Sequence, residues 1–183
     1  NYIKEKKMLL DRLLPQSKED KKAVVLAADF SNLDQVVTTI KSICYHNRSV
    51  RFYIINRDFP KEWFIQLNGR LRDFDSEIIN CRVTSDQISR FIPDFVKEDK
   101  ALYLDCDLVV TKNLDDLFAT DLQGYPLAAV RDYGRKVYYD QEIFNVGVLL
   151  INNLVWKQES MTQRLINLTD KLHDKADQVD QLV

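Results

Sequence analysis

Apolar positions along the chain fall into short runs and into longer stretches with helical spacing. The short runs predict buried strands at residues 23–28, 51–56, 77–83, 100–104, 127–130 and 147–151. Apolar residues three and four positions apart predict helices over residues 31–46, 60–74, 85–96 and 161–172. Ser31 or Asn32 would cap the first of these helices, and Pro60 would open the second. Strands that alternate with helices in this way predict an α/β sandwich with a mostly parallel central sheet.

The first 22 residues have a pattern of their own. Leucines at positions 9, 10, 13 and 14 share one face, which predicts a short leader helix ending at Pro15. A polar connector follows as far as residue 22, and the α/β domain takes up residues 23–183. The chain begins with Asn rather than Met, so we expect a piece of a longer protein.

Composition narrows the choice of partners and compartment. The 183 residues are 45% hydrophobic and 30% charged, with a net charge of −2, which argues against nucleic acid as a partner. The sequence has no run of about 18 apolar residues, so no transmembrane helix is predicted. The three cysteines lack paired spacing, which argues against disulfides and structural zinc and favours a reducing compartment. We expect a cytoplasmic protein, with peripheral membrane association left open.

Two carboxylates follow an apolar strand directly. The strand ending at Leu104 is followed by Asp105, Cys106 and Asp107. In an extended segment the two carboxylates would share one face, where their repulsion favours binding of Mg²⁺ or Mn²⁺. The alternative is a surface turn in which both carboxylates are solvated. We expect Cys106 to be a small buried thiol rather than a nucleophile, since no basic partner for it is evident.

Two further polar positions lie beside predicted strands. Asp29 follows Ala27 and Ala28, whose small side chains allow close approach of a flat ligand, and its carboxylate can accept hydrogen bonds from a nucleobase or sugar. Asn145 and Gly147 precede the strand at residues 147–151, and an amide there can donate to and accept from sugar hydroxyls. The alternatives are capping of a helix or turn by Asp29 and turn chemistry at Asn145 and Gly147. In a parallel sheet, ligands bind beyond the carboxyl ends of the strands.

Three segments together resemble glycosyltransferase family 8. They are residues 25–29, 102–110 and 144–152, in the family's order, and the resemblance covers residues 23–183. The family contains retaining transferases, among them bacterial lipopolysaccharide galactosyl- and glucosyltransferases and streptococcal adhesin O-glycan transferases. The resemblance implies a GT-A-type Rossmann-like fold and transfer of glucose or galactose from a UDP-sugar to a glycan, glycoprotein or lipid-linked acceptor. It also implies dependence on Mn²⁺ or Mg²⁺.

The resemblance assigns roles residue by residue. Asp105 and Asp107 would hold the metal that bridges the donor diphosphate. The implied donor-binding set is Ala27, Ala28, Asp29, Arg90, Asp105, Cys106 and Asp107. The residues implied to face the transferred sugar are Asn145 and a D-Q pair, Asp180 with Gln181, which fits better than Asp177 with Gln178. No clear nucleophile is present, so retention would follow from front-face attack.

The chain also departs from the family pattern. The family's third metal ligand, a histidine, and a phosphate-binding lysine lie downstream of the D-Q pair, beyond Val183. We therefore expect residues 23–183 to be a nucleotide-sugar-binding domain that lacks its C-terminal portion. His46 and His173 lie in predicted helices and are expected to be ordinary surface or packing residues.

Two other functions fit parts of the pattern. One is a non-catalytic GT-A domain that binds an acceptor or a partner protein. The other is a phosphatase of the haloacid dehalogenase type, which also places D-x-D after an apolar strand but at the first strand of its fold. A nicotinamide enzyme is disfavoured, because no G-x-G-x-x-G follows the first strand.

Overall fold

The structure, a computed structural model, describes residues 21–84, 95–132 and 144–173. Its strands are β1 (Lys22–Ala27), β2 (Val50–Asn56), β3 (Glu77–Arg82), β4 (Lys100–Leu104), β5 (Leu127–Arg131) and β6 (Phe144–Asn152). Its α-helices are α1 (Leu33–His46), α2 (Lys61–Leu71), α3 (Asp115–Ala119), α4 (Asn153–Gln158) and α5 (Met161–His173). Short 3₁₀ turns precede α1 at Phe30–Asn32 and follow α2 at Arg72–Phe74.

The six strands form one mixed sheet in the order β3-β2-β1-β4-β6-β5. The four strands from β3 to β4 run parallel to one another, whereas β6 is antiparallel to both β4 and β5. The expected mostly parallel sheet is confirmed. Its consequence for the site is that the carboxyl ends of β1 and β4 lie side by side, next to the amino-terminal end of β6.

Alternate residues of the central strands supply two apolar layers. Val24 and Leu26 of β1 pack with α1 and α2 on one face of the sheet. Val25 lies on the opposite face, where Trp156 of α4 and Met161 of α5 cover it. Because the strands at the centre are covered on both faces, they are apolar throughout instead of alternating with polar residues.

Most predicted elements are confirmed, with shifted ends. The predicted strand at 147–151 begins earlier, at Phe144, because β6 continues its pairing with β5 as far as Arg131. The short helices α3 and α4 were not predicted. The leader at 1–20 and most of the helix predicted at 85–96 lie outside the described residues. None of the helices in the described ranges is long and apolar enough to cross a membrane.

Candidate active site

The carboxylate that follows β4 meets the first part of β6. The backbone N–H of Asp105 donates to the Gly147 carbonyl at 2.9 Å, and the Tyr103 hydroxyl donates to Asp105 Oδ1 at 3.3 Å. A Cβ atom at position 147 would lie 2.4 Å from Asp105 Oδ2, so only glycine leaves room for the carboxylate in this position. Burial, together with the nearby Asp105 carboxylate, raises the pKa of Tyr103, which keeps its hydroxyl protonated as a donor.

Asn145 contacts the same glycine. Its Oδ1 accepts a hydrogen bond from the Gly147 N–H at 2.8 Å and lies 3.1 Å from the position that a Cβ would take there. The Asn145 amide oxygen and the Asp105 carboxylate therefore both lie close to the position that a Cβ of residue 147 would take. Asn145 lies within β6 and not before it, which corrects the sequence-based placement. The bond to Gly147 uses the amide oxygen and leaves the amide NH₂ out of this contact.

The segment from Asp105 to Asp107 is a turn and not an extension of β4. The prediction that the two carboxylates share a face because their segment is extended is therefore wrong. Asp105 is half-buried and Asp107 is exposed. The chain turns here because the Thr39 hydroxyl of α1 donates to the carbonyls of Cys106 and Leu108, on both sides of Asp107.

Asp29 lies at the carboxyl end of β1 and caps the turn that follows. Its Oδ1 accepts hydrogen bonds from the Ser31 N–H, at 3.0 Å, and from the Ser31 hydroxyl. The capping interpretation therefore holds for this oxygen, while Oδ2 takes no part in either bond. The Ser31 hydrogen bonds hold the pKa of the Asp29 carboxyl below its ordinary value, so the group is ionised at neutral pH.

The Cys106 thiol is half-buried and carries the electrostatic influence of three carboxylates. Burial is the main cause that raises the pKa of Cys106, and Asp107, Asp105 and Asp29 raise it further through their charges. The structure thus brings Asp29 to the same end of the sheet as the D-x-D pair. A protonated thiol among carboxylates is a poor nucleophile, as expected from the sequence.

The residues present fit a divalent cation bound through oxygen. Carboxylate oxygens are the ligands that Mg²⁺ and Mn²⁺ prefer, and Gly147 provides the space that the Asp105 carboxylate fills. Among the described residues, no group of three His, Cys, Asp or Glu side chains is placed to hold a metal. Asp105 and Asp107 would therefore supply only part of a coordination shell.

Several predicted site residues cannot be placed. Arg90, Asp180 and Gln181 lie outside the described residues, as does the competing pair Asp177 and Gln178. His46 ends α1, where its carbonyl accepts a hydrogen bond from Asn113 Nδ2 at 3.3 Å. Its ring lies edge-on to that of Tyr45, with the ring centroids 4.8 Å apart.

Comparison with known proteins is consistent across sequence and structure. The family model for glycosyl transferase family 8 matches residues 23–182. Glycosyltransferase GlyA of Streptococcus pneumoniae serotype 4 is 65% identical over 191 residues, which cover 97% of this chain and 27% of GlyA. The crystal structure of glycosyltransferase GlyE of S. pneumoniae TIGR4 superposes with a TM-score of 0.76 at 44% identity, over 85% of this chain and 40% of GlyE.

A more distant structure shares the fold. The galactosyltransferase LgtC, solved with donor and acceptor sugar analogues, superposes with a TM-score of 0.62 at 22% identity, over 74% of this chain and 59% of LgtC. The α/β sandwich is thus of the GT-A type. The chain spans between a quarter and two-fifths of the length of GlyA and GlyE. The family match over most of the chain and the identity to GlyA show that the chain belongs to glycosyl transferase family 8.

Proposed function

We propose that this chain forms the donor-binding part of a metal-dependent, retaining hexosyltransferase. Its donor would be UDP-glucose or UDP-galactose, and its acceptor a glycan, a glycoprotein or a lipid-linked sugar. The observation that carries the proposal is the meeting of Asp105, Gly147 and Asn145 where β4 ends, with Asp29 at the end of the neighbouring strand β1. Open α/β sheets bind nucleotides at this kind of edge.

Asp105 and Asp107 are the proposed metal ligands. When bound, Mn²⁺ or Mg²⁺ would neutralise the charge that develops on the departing nucleoside diphosphate. The contact with Gly147 holds the Asp105 carboxylate beside β6, and the Tyr103 hydroxyl bonds one of its oxygens. Asp107 is the more exposed of the two ligands and faces solvent from the turn.

The remaining roles concern the nucleoside and the sugar. Asp29 would accept hydrogen bonds from the uridine through the oxygen that does not bond Ser31, with Ala27 and Ala28 beside it. The NH₂ group of Asn145 would donate to a hydroxyl of the transferred sugar, since the amide oxygen is taken by Gly147.

Other parts of the proposal depend on the sequence resemblance. Arg90 is proposed near the donor, and the pair Asp180 and Gln181 beside the sugar. Retention is proposed from the same resemblance, and front-face attack is proposed because the sequence offers no clear nucleophile. Three free cysteines are the basis for proposing a reducing, cytoplasmic compartment. Membership of glycosyl transferase family 8 removes the phosphatase alternative.

Calorimetric titration of UDP with and without Mn²⁺ tests the proposal. We expect Mn²⁺ to strengthen UDP binding to the parent chain, and we expect Asp105→Asn and Asp107→Asn to abolish this gain. Each substitution removes a metal-binding charge while nearly preserving side-chain size. Asp116→Asn is the matched control, because Asp116 belongs to the first turn of α3. This helix lies beside the start of β4, where Lys100 donates to the Phe118 carbonyl.

Two outcomes would contradict the proposal. If millimolar UDP binds no better with Mn²⁺ than without it, the donor-site assignment fails, and a non-catalytic domain that binds an acceptor or a partner becomes the better account. If both variants keep the metal-dependent gain of the parent, the metal assignment to Asp105 and Asp107 is wrong.

A further inference from the structure

A buried hydroxyl on α1 is hydrogen-bonded to the turn that carries Asp107. Thr39 is fully buried, and its hydroxyl lies 2.8 Å from the carbonyl oxygen of Cys106 and 2.7 Å from that of Leu108. A hydroxyl has one hydrogen to donate, so the two contacts form a three-centre hydrogen bond. The two carbonyls belong to the residues on either side of Asp107, so one atom fixes the backbone around this carboxylate.

Two more polar side chains extend this attachment along the helix. The hydroxyl oxygen of Ser42 accepts from the Val110 N–H at 2.9 Å, and its hydrogen goes to the Thr39 carbonyl at 2.7 Å. At the end of α1, Asn47 Oδ1 accepts from the Leu114 N–H at 2.8 Å. The segment from residue 106 to 114 is therefore bonded to α1 and the residue after it at four positions, Thr39, Ser42, His46 and Asn47.

The apolar surroundings of Thr39 indicate that its hydroxyl has a structural role. Val36, Ile40 and Ile43 surround it on the buried face of α1, where an aliphatic residue would pack without needing a partner. A hydroxyl buried among such residues is unfavourable unless it is hydrogen-bonded. Both of its partners lie in the D-x-D turn, so the turn is where its stabilising contacts are made.

We infer that Thr39 is the positioning residue for the metal-binding turn. By holding the carbonyls of Cys106 and Leu108, it keeps the exposed carboxylate of Asp107 oriented before the metal arrives. A turn that is already ordered loses less conformational freedom on binding, so affinity is higher. Groups that orient metal ligands from behind commonly change metal affinity by about 10-fold to 100-fold. The inference rests on the proposed function, because it assumes that Asp107 binds the metal.

The test measures Mn²⁺-dependent UDP affinity in three threonine variants of the chain. Thr39→Val keeps the shape of the side chain and removes the hydroxyl, and we expect the affinity to fall by about tenfold. Thr39→Ser keeps the hydroxyl, so we expect an affinity within about twofold of the parent on the same reasoning. Thr120→Val is the matched control, because its exposed hydroxyl bonds the Asp116 carbonyl in α3.

Metal-free titrations separate positioning from a general loss of structure. UDP affinity without Mn²⁺ should be the same in Thr39→Val as in the parent, because the nucleoside contacts at Asp29 are untouched. Ser42→Ala provides a second probe should Thr39→Val fail to fold. It removes the acceptor for the Val110 N–H and should weaken only the Mn²⁺-dependent binding.

Different results would overturn the proposed function and the positioning role of Thr39. If the parent shows no Mn²⁺-dependent UDP binding, the proposed function falls. A different result overturns only the positioning role of Thr39. In that case the parent binds UDP in a Mn²⁺-dependent way, Asp107→Asn removes this binding, and folded Thr39→Val keeps it in full. The role is also overturned if Thr39→Ser binds as weakly as Thr39→Val, or if Ser42→Ala matches the parent when Thr39→Val cannot be studied.

Discussion

Gly147 and Asp105 are in closer contact than any larger residue at position 147 would allow. The Asp105 carboxylate fills the space that a Cβ at position 147 would take, and its Oδ2 lies 2.4 Å from that position. Gly147 does not have a positive φ, so the reason for glycine here is the close approach and not the backbone conformation. The position of the Asp105 carboxylate, a proposed metal ligand, thus depends on a residue of another strand that has no side chain.

Gly147→Ala is predicted to displace the Asp105 carboxylate and to weaken Mn²⁺-dependent UDP binding by about tenfold or more. Stability should change by less than about 1 kcal/mol, since the backbone of a strand accepts alanine and the carboxylate can rotate towards solvent. The measurements are UDP titration with Mn²⁺ and urea unfolding.

The matched control for this substitution is Gly69→Ala. Gly69 lies in α2 with nothing within 4 Å of the added Cβ, and glycine in a helix costs about 0.5–1 kcal/mol relative to alanine. Gly69→Ala should therefore stabilise the chain and leave UDP binding unchanged. Full retention of Mn²⁺-dependent binding in Gly147→Ala would show that the position of the carboxylate does not matter.

The strands and long helices were predictable because each has one dominant pattern. The run from Ala23 to Leu26 is continuously apolar because α1 and α2 cover one face and α4 and α5 the other. Short helices such as α3 and α4 lack such a pattern. They have five and six residues, too few for helical spacing to show.

The candidate site was chosen from sequence neighbours, and its geometry was only partly predicted. Asp29, Asp105, Asp107 and Asn145 were singled out as candidates, the turn after Asp105 was only the alternative to an extended segment, and the early start of β6 was missed. Both depend on partners distant in sequence, since β6 is extended by pairing with β5 and the turn is held by Thr39 of α1. A threonine on an apolar helix face was the available signal, and it is a weak one.

The residues that lead into β4 are fixed by a polar cluster at the opposite end of the sheet from the site. The Tyr53 hydroxyl of β2 donates to Glu98 Oε2 at 2.8 Å and accepts from the Lys97 N–H at 3.3 Å. The Arg51 guanidinium donates to the other Glu98 oxygen and to Glu77 Oε1. Burial, followed by the hydrogen bond to Glu98, raises the pKa of Tyr53 to about 12.

Tyr53→Phe is predicted to lower the free energy of unfolding by about 1 kcal/mol or more, because it removes the hydrogen bond to Glu98 and the one from the Lys97 N–H. UDP binding with Mn²⁺ should be unchanged, since the cluster precedes β4 and the site follows it. Urea unfolding checks the predicted loss of stability, and UDP titration with Mn²⁺ checks that binding is unchanged. Weaker UDP binding in a folded variant would contradict the separation of the two ends of the sheet.

The molecule as a whole gives a nucleotide no strong long-range field. Its net charge is −2, from 26 basic and 28 acidic residues. A diphosphate approaching the carboxylates at the ends of β1 and β4 would be repelled unless a cation intervenes. The charge balance therefore favours local neutralisation by a metal over a basic surface.

The chain is also a fraction of the proteins that it resembles. It spans 27% of GlyA and 40% of GlyE. The described residues include one end of a GT-A sheet, where carboxylates follow the strands β1 and β4. We propose that this end binds a nucleoside diphosphate through a metal.

A crystal of the chain soaked with UDP and Mn²⁺ tests that claim most directly. The account predicts Mn²⁺ at about 2 Å from carboxylate oxygens of Asp105 and Asp107, bridging to the diphosphate, with the uridine beside Asp29. Anomalous scattering from the manganese identifies the ion without ambiguity. Manganese bound away from both carboxylates, or UDP bound elsewhere on the chain, would contradict the account.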